Sequence, residues 1–237
     1  MVEVMHLGDL QVDVVKKDIK NIHLSVYPPT GRVRIAAPLR MSTDVIRAFA
    51  IGKLGWIRQH QRKLQTQPRE PQRVFLDRES HYVWGKRYML RLVEVDEAPS
   101  VFVKHSKLVL MVRPGTSMER KEAMLDAWYR DQVRAALPEL INRWERTLNV
   151  SVARTFVQRM KTKWGGCNPS KRTLRFNSEL AKKPIECLEY IVVHEMMHLL
   201  EPTHNSRFLD LLDLHLPRWR HSRDTLNGMP VRAERWG

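Results

Sequence analysis

Residues 185–208 read IECLEYIVVHEMMHLLEPTHNSRF, and this stretch decides how the rest of the chain is read. His194 and His198 stand four residues apart in a proline-free run, with Ile191, Val192, Val193, Met196, Met197, Leu199 and Leu200 around them. Apolar residues on nearly every side predict an enclosed helix from about Ile185 to Leu200. Four steps of roughly 100° put the two imidazoles on one face of it, about 40° apart and one turn from each other. That spacing suits two ligands of a tetrahedral ion. Glu195 projects beside them, where a carboxylate can take a proton from a water whose pKa a three-ligand zinc has lowered toward about 7. This is the working logic of the pattern H-E-x-x-H.

The five-residue pattern is common by chance, and two histidines displayed on a surface helix are its ordinary alternative. The apolar surroundings argue for enclosure instead, and enclosed polar groups need a partner. His204 supplies the candidate third ligand. It follows Glu201-Pro202, which must end or bend the helix and can swing the chain back toward the metal. The other candidates for that place are Glu201, Asp210 and Asp213. Three protein ligands leave one position open for water, which separates a catalytic zinc from a closed structural one.

Upstream of this helix, ARTFVQRM and TLRFNSEL read as short strands bracketing the turn-rich WGGCNPSK. TLRFNSEL leads toward the metal helix, and Arg175 and Asn177 fall on one side of it by two-residue alternation. Either can orient a substrate carbonyl or phosphate; the plain alternative for each is an ordinary strand residue. Trp164 reads as packing. Further upstream, from Ser117, apolar residues recur at helical spacing through Leu148, with Pro138 as a kink or a join.

The first hundred or so residues are mainly β in pattern. VDVVKK and NIHLSVYPPTGRVRIAAP alternate, with PPTG as a hairpin turn, and HYVWGKRYMLRLVEV, SVFVKH and KLVLMVRP form a second set of strands. Between them STDVIRAFAIGKLGWIRQHQRKLQ reads as helix, capped by Ser42 or Thr43 and interrupted near Gly52 and Gly55. No internal repeat is visible. The expected architecture is α+β, a mainly β region over 1–116 followed by a zincin-like helical metal-binding region over 117–237.

Composition bounds the partners. With 237 residues, 43% of them hydrophobic, the chain can bury a real core. It carries 41 Lys+Arg against 26 Asp+Glu, a formal charge of +15 that attracts polyanions, nucleic acid among them. The basic residues are scattered, as on an ordinary solvated surface. No leader pattern opens the sequence and no run approaches the roughly 20 apolar residues of a membrane span, so a cytoplasmic location without membrane contact is expected. Cys167 and Cys187 are too few and too far apart for a disulfide framework or a C-x-x-C knuckle, and read as free thiols.

Four blocks, NIHLSVYPPTGRVRIAAP, KLGWIRQHQRKL, MKTKWGGCNPSKRTLRFNSELAKKP and YIVVHEMMHLLEPTHNSRF, occur in the order found in the YgjP-like metallopeptidase-domain proteins, which the chain resembles over most of its length. That family is similar to the zincin superfamily of SprT-like and WLM proteases. The resemblance implies zinc held by His194, His198 and His204, Glu195 as catalytic base, and a protein or peptide substrate. The family's usual W-G-S-C is here Trp164-Gly165-Gly166-Cys167, so no serine hydroxyl is available there. The histidine spacing equals that of metzincins, but Glu201 stands where their turn glycine would be.

Two other functions compete with a zinc peptidase. Nucleoside-triphosphate pyrophosphatase activity is also attributed to YgjP-like proteins, and the positive charge favours an anionic substrate; that chemistry usually recruits Mg, and the chain has no G-x-x-x-x-G-K-[ST] loop. A zinc-stapled, nucleic-acid-associated module is the non-enzymatic reading, against which stands Glu195, a residue a structural site does not require.

Overall fold

The structure, a computed structural model, describes residues 2–27, 31–66, 68–70 and 73–232. The chain divides into two compact units, Met1–Glu70 with Pro230–Gly237, and Pro71–Met229.

In the first unit, β1 (Val2–Leu7), β2 (Leu10–Lys17), β3 (His23–Tyr27) and β4 (Arg32–Pro38) form one sheet in the order β1-β2-β4-β3. The outer pairs are antiparallel and the central β2/β4 pair is parallel. Alternation puts Met5, Val12 and Val33 on one face, where they pack with Ile46, Ala50 and Ile57 of α1 (Thr43–Gly52) and α2 (Leu54–Thr66). Ser42 caps α1, its hydroxyl accepting from the Val45 N–H, and the helical run breaks at Gly52–Lys53 as its glycines suggest. The hairpin turn expected at PPTG lies largely outside the described residues, but the antiparallel pairing of Tyr27 with Arg32 on either side of it is present. β1 was not legible beforehand, since VEVMHL alternates weakly.

The second unit opens with β5 (Ser80–Val83), β6 (Lys86–Glu94), β7 (Ser100–Lys104) and β8 (Lys107–Val112), in the order β5-β6-β8-β7. Its outer pairs are again antiparallel and its central pair parallel. The two four-stranded sheets thus share one topology, a repeat in the chain path with no repeat in the letters. Both are followed by helix. In the second case this is α3 (Met118–Leu148), capped by Ser117 and continuous through Pro138, so Pro138 is neither break nor join. The N-terminal part of α3 packs Leu125 on the sheet; its later turns, Tyr129 to Leu148, enter a separate core built around the candidate site. Asn149 ends it in the left-handed region, a conformation asparagine tolerates.

A three-stranded sheet follows: β9 (Arg154–Gln158), β10 (Gly165–Asn168) and β11 (Thr173–Asn177), ordered β10-β11-β9. β10 runs through GGCN, read from the sequence as turn; it is an edge strand, held by antiparallel pairing to β11. A 3-10 turn at Ser178–Lys182 leads into α4 (Ile185–Met197), and α5 (Ser206–His215) and α6 (Trp219–Gly228) close the unit. The architecture is α+β with a mainly β N-terminal region, as expected. Among the described residues no helix is long and apolar enough to cross a membrane.

One hairpin fixes the entry to α4. Trp84 and Gly85 both have positive φ, 49° and 77°, in the two-residue turn that twisted strands favour. Their N–H groups donate to the carbonyls of Ala181 and Lys182 at 2.7 and 3.3 Å. A Cβ on Gly85 would lie 2.9 Å from the Pro184 ring, so only glycine allows this approach.

Candidate metal centre

α4 is a core helix. Cys187, Leu188, Tyr190, Ile191, Val192, Val193, Met196 and Met197 are all buried, in contact with α3, β10, β11, α5 and α6. Regular helix stops at Met197, sooner than expected: the N–H groups of Leu199 and Leu200 reach only three residues back, to Met196 and Met197, at 3.0 and 2.9 Å. His198 therefore sits at the C-terminal cap. Glu201-Pro202 cannot extend the helix, and the chain turns to His204 before Asn205 caps α5, its Oδ1 accepting from the Phe208 N–H at 3.0 Å.

This turn brings the three histidines together. One nitrogen from each of His194, His198 and His204 lies within 4.8 Å of the others. Nε2 of His204 is 2.9 Å from Nε2 of His194. His198 Nδ1 lies 3.2 Å from the Glu201 carbonyl oxygen, the contact that places a proton on Nδ1 and leaves Nε2 free as a ligand. His194 Nδ1 is buried without a hydrogen-bond partner among the described residues. Burial, with the neighbouring imidazoles, pushes His194 down to about 4, and burial also lowers His198. Converging imidazoles, two of them held away from the charged form by burial, offer lone pairs, so the residues present fit a metal ion of nitrogen preference.

The floor of the triad is Phe208, fully buried, with its ring centroid 5.0, 4.8 and 4.8 Å from those of His194, His198 and His204. Tyr190, one turn before His194, packs edge-on to it at 5.8 Å and stacks at 6.2 Å on Trp219. The alternative third ligands are elsewhere engaged or apart: Asp213 accepts from Trp219 Nε1 at 2.7 Å and pairs with Arg220, the Glu201 carboxylate accepts from Thr203, and Asp210 is not in the group that converges.

Glu195 is 6% exposed. Burial pushes its carboxyl up to about 7, against the pull of Lys163. Gly165 of β10 closes over it: a Cβ there would stand 2.6 Å from Glu195 Oε1 and 2.8 Å from Ile191 Cγ2. The strand beside the acid is thus β10. β11, the strand singled out from sequence, is central in the sheet. Arg175 on β11 is exposed; Asn177 is buried, its amide donating to the Met160 and Lys163 carbonyls at 2.8 Å each and its oxygen accepting from Glu179 and Met160 N–H groups. Trp164 packs against the core, with Lys183 Nζ 5.7 Å from its ring. Burial, and then Glu195, push the free thiol of Cys167 up to about 11.

Gly165 and Phe208 were both missed as site residues. The doubled glycine in WGGC was the available signal for the first; nothing local marks Phe208 as more than the first apolar residue of α5.

Two imidazoles at the end of α4 and one from the turn after it thus converge, with a buried acid of α4 lying against a strand edge. The chain belongs to the YgjP-like metallopeptidase-domain family, whose profile matches residues 20–229. Among solved structures it is similar to the metallopeptidase zymogen of Pyrococcus abyssi abylysin, at 19% identity over 37% of this chain and 89% of that one, with a TM-score of 0.35. It is also similar to the zymogen of Methanocaldococcus jannaschii jannalysin, at 22% identity over 37% and 84%, with a TM-score of 0.33. No curated protein matches the chain.

Proposed function

We propose that the protein is a zinc peptidase in which His194, His198 and His204 hold the metal and Glu195 is the general base. The observation that carries this reading is the convergence of three imidazole nitrogens within 4.8 Å beside a buried carboxyl whose proton affinity stands near neutrality, at about 7. When bound, zinc supplies a Lewis acid for the scissile carbonyl and lowers the pKa of a water. Glu195, buried and next to His194 in α4, would take a proton from that water and return it to the leaving amine. Gly165 and Ile191 pack against the Glu195 carboxyl and keep bulk water from it, whereas His204 is exposed. The open side of β10 gives an extended peptide a backbone to pair with, and Arg175 is the candidate to contact it. Asn177 is the weaker candidate, its amide being spent on the 160–163 loop.

The catalytic part is proposed to begin with α3 and to include all residues just named. Glu195→Gln tests the proposal, since it keeps size and removes the proton acceptor. Zinc content should stay at that of the wild type while cleavage of an unstructured protein falls about 10²–10⁴-fold. A zinc-loaded, folded Gln variant that cleaves at the wild-type rate would end the peptidase reading.

A further inference from the structure

The three-stranded sheet has two edges. β10 lies against Glu195; β9 is the other edge, two strand spacings or about 10 Å across the sheet. Among the described residues no strand pairs with β9 on its outer side, so alternate residues of Arg154–Gln158 hold backbone N–H and C=O groups pointing off the sheet. Facing that edge runs α3. Between them lies a trough of about 440 Å³ with Leu137 and Val157, both buried, in its lining and Phe156, 40% exposed, at its rim.

The polar lining is one-sided. Arg134 and Arg154 both line the trough and both are exposed; Arg154 has no ion-pair partner among the described residues, and Arg134 has only an exposed contact to Asp131, which solvent screens. The single acid of the lining, Glu145, is engaged by the Val152 N–H at 2.6 Å. Pro138 has no N–H to offer, so the Arg134 carbonyl lacks its usual helical donor and adds an acceptor on the α3 side. An open strand edge beside a helix selects an extended backbone, and two exposed guanidinium groups, Arg154 without an ion pair among the described residues and Arg134 in a solvent-screened pair with Asp131, select carboxylates. We propose that this trough docks an extended acidic peptide segment, which adds to β9 as a fourth strand while its carboxylates meet Arg134 and Arg154. Such a site lies outside the residues assigned to hydrolysis and holds a segment of a partner or substrate away from the bond being cut.

Fluorescence anisotropy tests it with a labelled, acetyl-capped ten-residue peptide of alternating valine and glutamate, titrated with the full chain carrying Glu195→Gln so that binding is read whatever becomes of the hydrolytic reading. Saturable binding is expected. N-methylation of one alternate set of peptide amides should weaken it about tenfold or more and of the other set hardly at all, because only one set faces β9. Arg134→Glu with Arg154→Glu should weaken it by about tenfold or more and instead favour the valine–lysine peptide, a charge swap that a misfolded variant would not produce. The proposal is overturned by no saturation at about 1 mM peptide, by equal effects of the two methylation patterns, or by binding indifferent to the arginine pair. Tight binding of a labelled ten-nucleotide dT strand that is lost in the double variant, with no peptide binding, would reassign the arginines to phosphates and overturn it equally.

Discussion

Gly165 and Glu195, thirty residues apart in the chain, approach so closely that a single added methyl group at Gly165 would fall 2.6 Å from the Glu195 carboxylate oxygen. The glycine's φ is not in the left-handed region, so the requirement is space and not backbone conformation. β10 can approach α4 only where it has no side chain.

Gly165→Ala should therefore displace Glu195 or Ile191. A catalytic group moved by about 1 Å costs on the order of 10²-fold in turnover, and overpacking costs about 1–3 kcal/mol of stability. Zinc content should not change, because the three atoms nearest the new Cβ belong to Glu195 and Ile191 and none to a histidine. Gly166→Ala is the control, since nothing lies within 4 Å of its added carbon. Equal turnover in the two variants, measured with matched zinc content, would show that the contact is without consequence.

His204 and Asp213 separate the candidate third ligands. His204→Ala should weaken metal binding by tenfold or more, measured by competition with a chelator, whereas Asp213→Asn should leave it unchanged and loosen only the Trp219 and Arg220 contacts. Dialysis against a strong chelator should abolish proteolysis, and zinc should restore it. Restoration by Mg alone would point to the nucleotide chemistry.

Phe208 touches all three imidazoles and nothing replaces it as a floor. Phe208→Ala should cost about 3–5 kcal/mol of stability and lower metal affinity, because the rings it holds gain freedom. Phe208→Leu, which refills most of the volume, should recover much of the stability. Metal affinity read by Co(II) substitution should recover less if the flat ring orients His198, on which it stacks at 29°.

Away from the site, Glu79 predicts an acid limb of stability. Burial raises its carboxyl, but hydrogen bonds from His81, the Val74 N–H and Arg73 outweigh this and hold it down to about 2, from a usual 4.5. A carboxyl depressed on folding stabilises fully above its unfolded pKa, and the contribution is lost as pH falls from about 4.5 toward about 2. Its size, after allowing for solvent screening of a partly exposed carboxyl, is on the order of 2 kcal/mol. Urea unfolding of wild type and Glu79→Gln should differ by roughly that much at pH 7 and by clearly less at pH 3.5; a pH-independent difference would remove the carboxylate from the account.

How much of this was legible beforehand follows from range. The spacing of His194 and His198, the cap at Ser42 or Thr43, the onset of helix after Ser117 and the glycine break after α1 are set by residues within one or two turns, and the local sequence reports them directly. The alternating strands of the two four-stranded sheets were legible for the same reason, except β1 and the turn at Trp84-Gly85 that divides HYVWGKRYMLRLVEV into β5 and β6. Their shared topology was not, because strand order depends on which edges meet after the chain has turned, and different side chains build the same path.

By itself the sequence determined the helix that carries two imidazoles and an acid on adjoining faces, and the proline that forces the chain to turn before His204. Only the tertiary structure decided that this turn closes on the helix, that GGCN is an edge strand and not a turn, that Gly165 and Phe208 press on the site, and that the 84–85 hairpin fixes the entry to α4. The physical reason is the same throughout: a backbone's local conformation follows from its neighbours in sequence, whereas a close approach between distant segments exists only once a core has formed and excludes every side chain that does not fit.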